Sequence, residues 1–188
     1  MSESLESYAA SDPTGRTGAW PAPIELRSAT AADASAILAL VTAHREEGHL
    51  LPRSFDEILR VAHRFVVADR AGLVVGCAEL APLGPALAEI RSLVVDDEAR
   101  GDGVGRRLVV ELTNRARAAG CEQLCAFTHG PAWFCRMGFS LVPHTWLMPK
   151  VLTDCVRCPL FRRCGQYAVA LAVPAVRTRR TGTGESPA

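Results

Sequence analysis

The sequence predicts a single α/β domain, and two observations support this class. The chain has 188 residues, of which 48% are hydrophobic, so it is long enough to bury a substantial core. Strand-like and helix-like segments alternate along the chain. The former are short apolar or alternating runs, and in the latter apolar residues recur at helical spacing. The formal net charge is only +1. We therefore expect neither a nucleic acid nor a membrane as a partner.

The two ends of the chain differ in composition from the rest. Residues 1–22 are rich in Ser, Gly, Pro and Ala and show no hydrophobic period, which predicts a disordered tail. Residues 174–188 are similar and basic, and a solvated tail is the simpler interpretation than contact with RNA. The N-terminus lacks the apolar region of a signal peptide. Seven cysteines, an odd number, favour reduced thiols in a cytoplasmic protein.

The first third of the domain predicts one strand and two helices. Alternation over Ile24–Arg27 indicates the opening strand. A capping-box pattern at residues 30–33 starts a helix that we expect to end near Gly48. A second capping pattern at residues 54–57 starts a helix that reaches about His63.

The middle and end of the domain alternate between strands and helices. Phe65–Asp69 and Leu73–Leu80 predict two strands joined by a hairpin turn at residues 70–72. The central strand contains Glu89–Val95, and an amphipathic helix follows at residues 104–119, where Gly120 ends it. The remaining predicted elements are a strand at Gln123–Thr128, a short helix at Pro131–Met137, and strands at Phe139–Val142 and Ala168–Val173.

A glycine loop connects the central strand to the long helix. A loop of this kind offers free backbone N–H groups and the positive end of a helix dipole, which together suit phosphate. A steric need for glycine at the turn is the alternative interpretation. A P-loop would require Gly-Lys-Ser/Thr, whereas the only lysine of the chain is Lys150, and the glycine spacing of a dinucleotide-binding fold is also absent.

The pattern Arg-Gly-x-Gly-Val-Gly after Glu-Ile-x-x-Leu-Val-Val resembles the GNAT family of N-acetyltransferases. The resemblance covers roughly residues 24–173, is most specific from Ala88 to Phe139, and sets the domain at residues 23–173. It implies a mixed central sheet flanked by helices, with acetyl-CoA as cosubstrate. The loop would hold its pyrophosphate, and the strand backbone would pair with its pantetheine arm. The implied cofactor-binding residues are Leu93, Val94, Val95, Arg100, Gly101, Asp102, Gly103, Val104, Gly105 and Arg106.

The resemblance also implies catalytic chemistry. Glu89 stands where many family members carry the glutamate that takes the proton of the attacking amine. The alternative is that Glu89 only pairs with Arg91, its neighbour on the same face of the strand. Many members also use a tyrosine to protonate the leaving thiolate, and this chain has Phe134 at that position. Cys135 and His129 are weak substitutes, and a thiol with a pKa of about 8.5 needs little help to leave.

The identity of the acceptor depends on a second resemblance. The segment Leu50–Ser54 resembles part of bacterial N-acetylglutamate synthases, and Arg53 and Arg91 could bind the two carboxylates of L-glutamate. We therefore expect acetyl transfer to the α-amine of an amino acid, with L-glutamate in arginine biosynthesis favoured. Two alternatives to this function stay open: acetylation of another amine, and a non-catalytic module that binds acyl-CoA. The chain could also form a homodimer. The kinase-like regulatory domain of longer synthases is not recognisable, so arginine feedback through it is not expected.

Three cysteines precede the last strand in the spacing Cys-x₂-Cys-x₅-Cys. Cys155, Cys158 and Cys164 could bind zinc with His144, form a redox pair, or be packed thiols. With a single Cys-x₂-Cys pair and no adjacent fourth ligand, we assign no metal site.

Overall fold

The computed structural model describes residues 22–45 and 50–174, and its centre is one mixed sheet. Its seven strands lie in the spatial order β1-β2-β3-β4-β5-β7-β6. Only β4 and β5 are parallel among the hydrogen-bonded neighbours. The bounds are β1 Ile24–Ser28, β2 Phe65–Arg70, β3 Leu73–Pro82, β4 Leu87–Val95, β5 Gln123–Thr128, β6 Ser140–Val142 and β7 Tyr167–Ala172. The predicted α/β class is confirmed.

Five α-helices connect the strands in the part of the chain that the structure describes. They are α1 Ala34–Ala43, α2 Phe55–Val61, α3 Val104–Ala118, α4 Pro131–Cys135 and α5 Met148–Thr153. The first helix ends at Ala43, earlier than predicted, because the backbone of His44 leaves the helical conformation, with φ of −103° and ψ of 14°. The sequence patterns did not predict α5, which has a proline in its first turn and only six residues.

The helices cover both faces of the sheet. Strand residues alternate between the faces, so Val66 and Ala68 pack in the cluster that contains Leu108 and Leu112 of α3. Phe65 and Val67 pack instead in the cluster that contains α1 and α2. The core is therefore two apolar layers with the sheet between them.

The parallel pair β4 and β5 separates halfway along β4. The two strands pair only from Leu87 to Ile90, although β4 continues to Val95. Beyond the split, Ser92 has a φ of +48°, and the register with β3 shifts by one residue between Cys77 and Glu79, as in a β-bulge. The bulge turns β4 away from β5, and its backbone from Arg91 onward has no ladder with β5.

The predicted tails lie outside the described residues, apart from Ala22 and Pro174. In the described ranges, no helix combines the length and apolar character needed to cross a membrane.

Candidate active site

A cleft of about 990 Å³ begins where β4 leaves β5 and reaches the loop before α3. Its walls come from the segment before α2, from β3 and β4, from the start of α4 and from α5. Clefts at the carboxyl ends of parallel strands are common ligand sites in α/β sheets, because loops and helix N-termini converge there.

The glycine loop forms one end of the cleft. Gly101 and Gly103 border it with φ angles of +92° and +73°, a backbone conformation that other residues adopt only with strain. A Cβ atom at either position would meet no atom within 4 Å, so the space above the backbone is open. The first-turn N–H groups of α3 have no partner within the helix. The loop therefore has the shape and the donors of an anion site.

The structure brings most of the predicted cofactor-binding residues to this cleft. Those that border it are Leu93, Val95, Arg100, Gly101, Gly103, Val104, Gly105 and Arg106. Two do not: the side chain of Val94 packs in the core cluster that contains α1, and the carboxylate of Asp102 accepts a 2.7 Å hydrogen bond from Arg70. These two positions are left with their backbone groups as the means of contacting a ligand.

Two buried carboxylates line the cleft on neighbouring strands. Glu89 on β4 is 3% exposed and Glu79 on β3 is 2% exposed. Their side chains share one face of the sheet, because Glu79 is the cross-strand partner of Arg91 and Arg91 lies two residues beyond Glu89. Such costly burial of charge is tolerated when each carboxylate is paired.

Glu89 is held by two cations. Its Oε2 accepts hydrogen bonds from Arg91 Nε at 2.5 Å and from Lys150 Nζ at 2.9 Å. The predicted contact with Arg91 is therefore present, and Glu89 also faces the cleft. Glu79 is held in a similar way, by Arg53 Nη1 at 2.9 Å and by Arg64 at 4.0 Å.

Lys150 and Asp154, at the two ends of one turn of α5, complete the charge cluster. Asp154 Oδ2 accepts a hydrogen bond from Lys150 Nζ at 3.0 Å and another from Arg91. Burial raises the pKa of the Asp154 carboxyl, but the Lys150 hydrogen bond and the Arg91 charge outweigh it, so the pKa lies below its ordinary value. Burial also opposes the charge on Arg91, yet Glu89 raises the pKa of the guanidinium. Both groups are firmly ionised.

The predicted acceptor ligands Arg53 and Arg91 both border the cleft, each on a different carboxylate. Sequence reasoning missed Glu79, Lys150 and Asp154. A charged residue in the middle of an apolar strand was a signal for Glu79. No local pattern marked Lys150 or Asp154, because they lie 61 and 63 residues along the chain from their partners on β4.

The position expected to protonate a leaving group carries no hydroxyl. Phe134 borders the cleft and packs edge-on against Trp133 and Phe139. His129 borders the cleft as well, whereas Cys135 is exposed and lies outside its lining.

The three cysteines before β7 are free and at least partly exposed. Within residues 22–45 and 50–174, no three His, Cys, Asp or Glu side chains are grouped so that they could hold a metal ion. The structure therefore offers no support for the zinc alternative raised by the spacing of Cys155, Cys158 and Cys164.

Positive charge predominates around the cleft. Among the described residues that line it are seven arginine and lysine side chains and four carboxylates, an excess of three positive charges. The whole chain carries only +1. The cleft is therefore suited to anionic ligands.

Comparisons with known proteins agree with this geometry. The acetyltransferase (GNAT) domain family matches residues 62–141. An uncharacterized N-acetyltransferase of Chlorobaculum tepidum is 35% identical over 144 residues, which are 77% of this chain and 93% of that protein. An amino-acid acetyltransferase of Pseudomonas syringae is 35% identical over 117 residues, 61% of this chain but 27% of the relative.

A solved structure is similar over the whole fold. The N-acetylglutamate synthase of Neisseria gonorrhoeae, complexed with coenzyme A and N-acetyl-glutamate, matches with a TM-score of 0.73 and 26% identity. The match covers 83% of this chain and 36% of that one. This chain thus spans about a quarter to a third of the length of the synthase and amino-acid acetyltransferase relatives.

Proposed function

The chain belongs to the GNAT family of acetyltransferases, and on that premise we propose that it transfers acetyl from acetyl-CoA to the α-amine of an amino acid, L-glutamate. One observation carries the proposal: the glycine cradle, a buried carboxylate and two arginines border the same cleft. A role in arginine biosynthesis and a cytoplasmic location are further parts of this proposal.

The cradle supports acetyl-CoA as the donor. The open space above Gly101 and Gly103 and the free N–H groups at the start of α3 fit a diphosphate. The unpaired edge of β4 after Ile90 offers backbone groups to an extended pantetheine arm, in the manner of an added strand. The neighbouring synthase structure contains coenzyme A. Acetyl-CoA supplies a thioester whose carbonyl carbon bonds to the amine nitrogen while the carbon–sulfur bond breaks.

Glu89 is proposed as the base that removes the proton from the acceptor amine. A side chain on the central strand is rigidly positioned, and burial restricts access by bulk water. The amine proton passes to the carboxylate directly or through one water molecule. Glu79 is the second carboxylate on this wall of the cleft, and its role is to hold Arg53 in place.

The leaving group requires no acid from the protein. Phe134 and its aromatic neighbours Trp133 and Phe139 have no acidic proton to offer. A thiol with a pKa of about 8.5 departs readily as the thiolate. The positive excess around the cleft stabilises that anion.

Two arginines support a dicarboxylate acceptor. Arg53 and Arg91 stand on adjacent parts of the cleft, and guanidinium groups bind carboxylates through paired hydrogen bonds. A cationic acceptor such as a polyamine would meet the positive excess of the cleft and be disfavoured. The amino-acid acetyltransferase relatives are consistent with this choice.

The test is release of free thiol from acetyl-CoA, measured with each amino acid in turn. We expect the highest kcat/KM with L-glutamate. Turnover only with polyamines, peptide N-termini or aminoglycosides would contradict L-glutamate as the acceptor and still support acetyl transfer to an amine. Coenzyme A binding without turnover of any amine would show a binding module instead of an enzyme and would contradict the proposal.

A further inference from the structure

Lys150 on α5 and Asp154, the residue that follows α5, take part in the charge cluster around Glu89 without having a part in the acyl transfer described above. Lys150 and Arg91 are each bonded to the same two carboxylates, Glu89 and Asp154. Each carboxylate uses a single oxygen to meet both cations. The four groups therefore form a closed ring with two positive and two negative charges.

The two carboxylates of this ring differ in how easily they can leave it. The side chain of Glu89 is 4% exposed and is fixed on β4 between β3 and β5. The side chain of Asp154 is 37% exposed and follows the last residue of a six-residue helix. If this side chain rotated toward solvent, Arg91 and Lys150 would each be able to donate a hydrogen bond to the oxygen of another carboxylate. Asp154 is thus the exchangeable member of the ring.

We propose that Arg91 and Lys150 form a carboxylate clamp, which Asp154 fills when no acceptor is bound and which one carboxylate of a dicarboxylic amino acid fills when it is. The inference rests on the proposed function. It limits the acceptor to dicarboxylic amino acids, because Asp154 occupies the place that a substrate carboxylate would take. The second carboxylate of the acceptor binds at Arg53, which pairs with Glu79, the cross-strand neighbour of Arg91.

Charge balance gives the clamp its selectivity. Exchange of the Asp154 carboxylate for a substrate carboxylate leaves the ring neutral, and the displaced Asp154 carboxylate is hydrated by solvent. A neutral side chain that displaced Asp154 would leave a cation uncompensated at a partly buried site, which is costly. The clamp therefore favours glutamate over glutamine, its uncharged isostere, and Asp154 competes with every acceptor for the same two cations.

The test is calorimetric titration of the coenzyme A-bound protein with L-glutamate and with L-glutamine. Lys150→Met is expected to weaken glutamate binding about 10- to 100-fold, the effect of losing one charged hydrogen bond. It should change glutamine binding much less, and Lys150→Arg should restore part of the affinity. Asp154→Asn should act in the opposite direction and tighten glutamate binding about three- to tenfold, because the internal competitor loses its charge.

Matched variants separate these effects from general changes of charge. Arg117→Met near the C-terminal end of α3 and Asp56→Asn on the exposed side of α2 make the same changes of charge outside the cleft lining. Both should leave glutamate affinity within about twofold of the parent value. Unfolding temperature and coenzyme A affinity, measured for every variant, show that each one is folded.

Three outcomes would overturn the clamp. The first is that Asp154→Asn weakens glutamate binding as much as Lys150→Met, which indicates that the pair only fixes α5 to the sheet. The second is that Lys150→Met weakens glutamine and glutamate equally. The third is that the parent protein binds no dicarboxylate although it acetylates other amines. Lys150-dependent glutamate binding without any thiol release would instead keep the clamp and refute the proposed enzymatic function.

Discussion

At the scale of single residues, the molecule concentrates its buried charge in one place. Glu79 and Glu89 are nearly inaccessible, and each is neutralised by two cations. Paired burial fixes the position of these carboxylates more firmly than exposed side chains could be fixed, because rotation would leave a charge without a partner. The proposed base, Glu89, would therefore keep one orientation before a substrate arrives.

The first prediction concerns the base. Glu89→Gln preserves the shape of the side chain but cannot accept the amine proton, so kcat should fall by about 10²- to 10⁴-fold. Coenzyme A affinity should stay within about threefold, because the cradle lies at the other end of the cleft. Steady-state thiol release and calorimetric titration measure the two quantities.

Glu79→Gln is the matched comparison, since it makes the same change at the neighbouring buried carboxylate. It should raise the KM for glutamate through loss of the Arg53 contact and reduce kcat far less. The opposite result, with full kcat in Glu89→Gln and a large loss in Glu79→Gln, would transfer the role of base to Glu79.

At the scale of elements, the site depends on a strand that leaves its neighbour and a helix that starts beside it. The bulge at Ser92 ends the pairing of β4 with β5, and the chain then passes through the glycine loop into α3. The cleft thus gains an unpaired strand edge and a helix N-terminus within 15 residues of sequence. Both supply backbone groups, so their function depends little on which side chains surround them.

The second prediction tests the cradle. Gly103→Glu places a negative side chain at a position with φ of +73° that faces open space in the cleft. Steric block and repulsion of phosphate should weaken coenzyme A binding at least about tenfold, as measured by calorimetric titration.

Gly72→Glu controls for backbone strain. Gly72 also has a positive φ, +87°, with open space beyond it, but it lies in the turn between β2 and β3 and does not border the cleft. This variant should lose a similar amount of stability and keep coenzyme A affinity. Equal loss of affinity in both variants would contradict the cradle assignment.

At the scale of the whole molecule, one charge network joins the first strand to its surroundings. Arg27 on β1 donates two hydrogen bonds to Asp33, at 2.9 and 2.7 Å, and two to Asp69 on β2. Asp33 also accepts a hydrogen bond from the Thr30 backbone N–H before α1. The hydrogen bond from Arg27 is the largest influence on Asp33 and holds the pKa of its carboxyl well below the ordinary value, against the effect of burial.

The third prediction follows from the direction of that pKa shift. A carboxyl whose pKa is lowered by folding stabilises the native state at pH values above its unfolded pKa of about 3.9. This contribution disappears as pH falls toward the folded-state pKa. Asp33→Asn should therefore cost about 2–3 kcal/mol in the free energy of unfolding at pH 7. The difference from the parent protein should shrink steadily below about pH 4.

Denaturant titrations at several pH values measure this difference. Asp56→Asn, at an exposed position in the first turn of α2, should change stability by less than about 0.5 kcal/mol at pH 7. A cost for Asp33→Asn that stayed the same down to pH 2 would show that the loss is one of packing and not of charge.

Local sequence patterns predicted most of the fold, and most of the site residues that the family resemblance implied border one cleft. Alternation indicated β1, short apolar runs on either side of a turn indicated β2 and β3, the glycines indicated the loop, and the resemblance to the GNAT family indicated Glu89. These features depend on backbone preferences and on spacing within a few residues, so the chain carries them wherever it folds. The first helix was predicted too long because none of the local patterns marked the change of backbone conformation at His44.

Only the tertiary structure decided which charges meet. Lys150 and Asp154 reach Glu89 and Arg91 across more than sixty residues, and Glu79 faces Arg91 because β3 and β4 pair in one register with a bulge. Distances of this kind are set by strand pairing and helix packing, which no local spacing encodes. The sequence by itself thus indicated the family and, through that resemblance, the proposed cradle and a candidate base. The proposed carboxylate clamp depends on folding, which brings Lys150 and Asp154 against the split sheet.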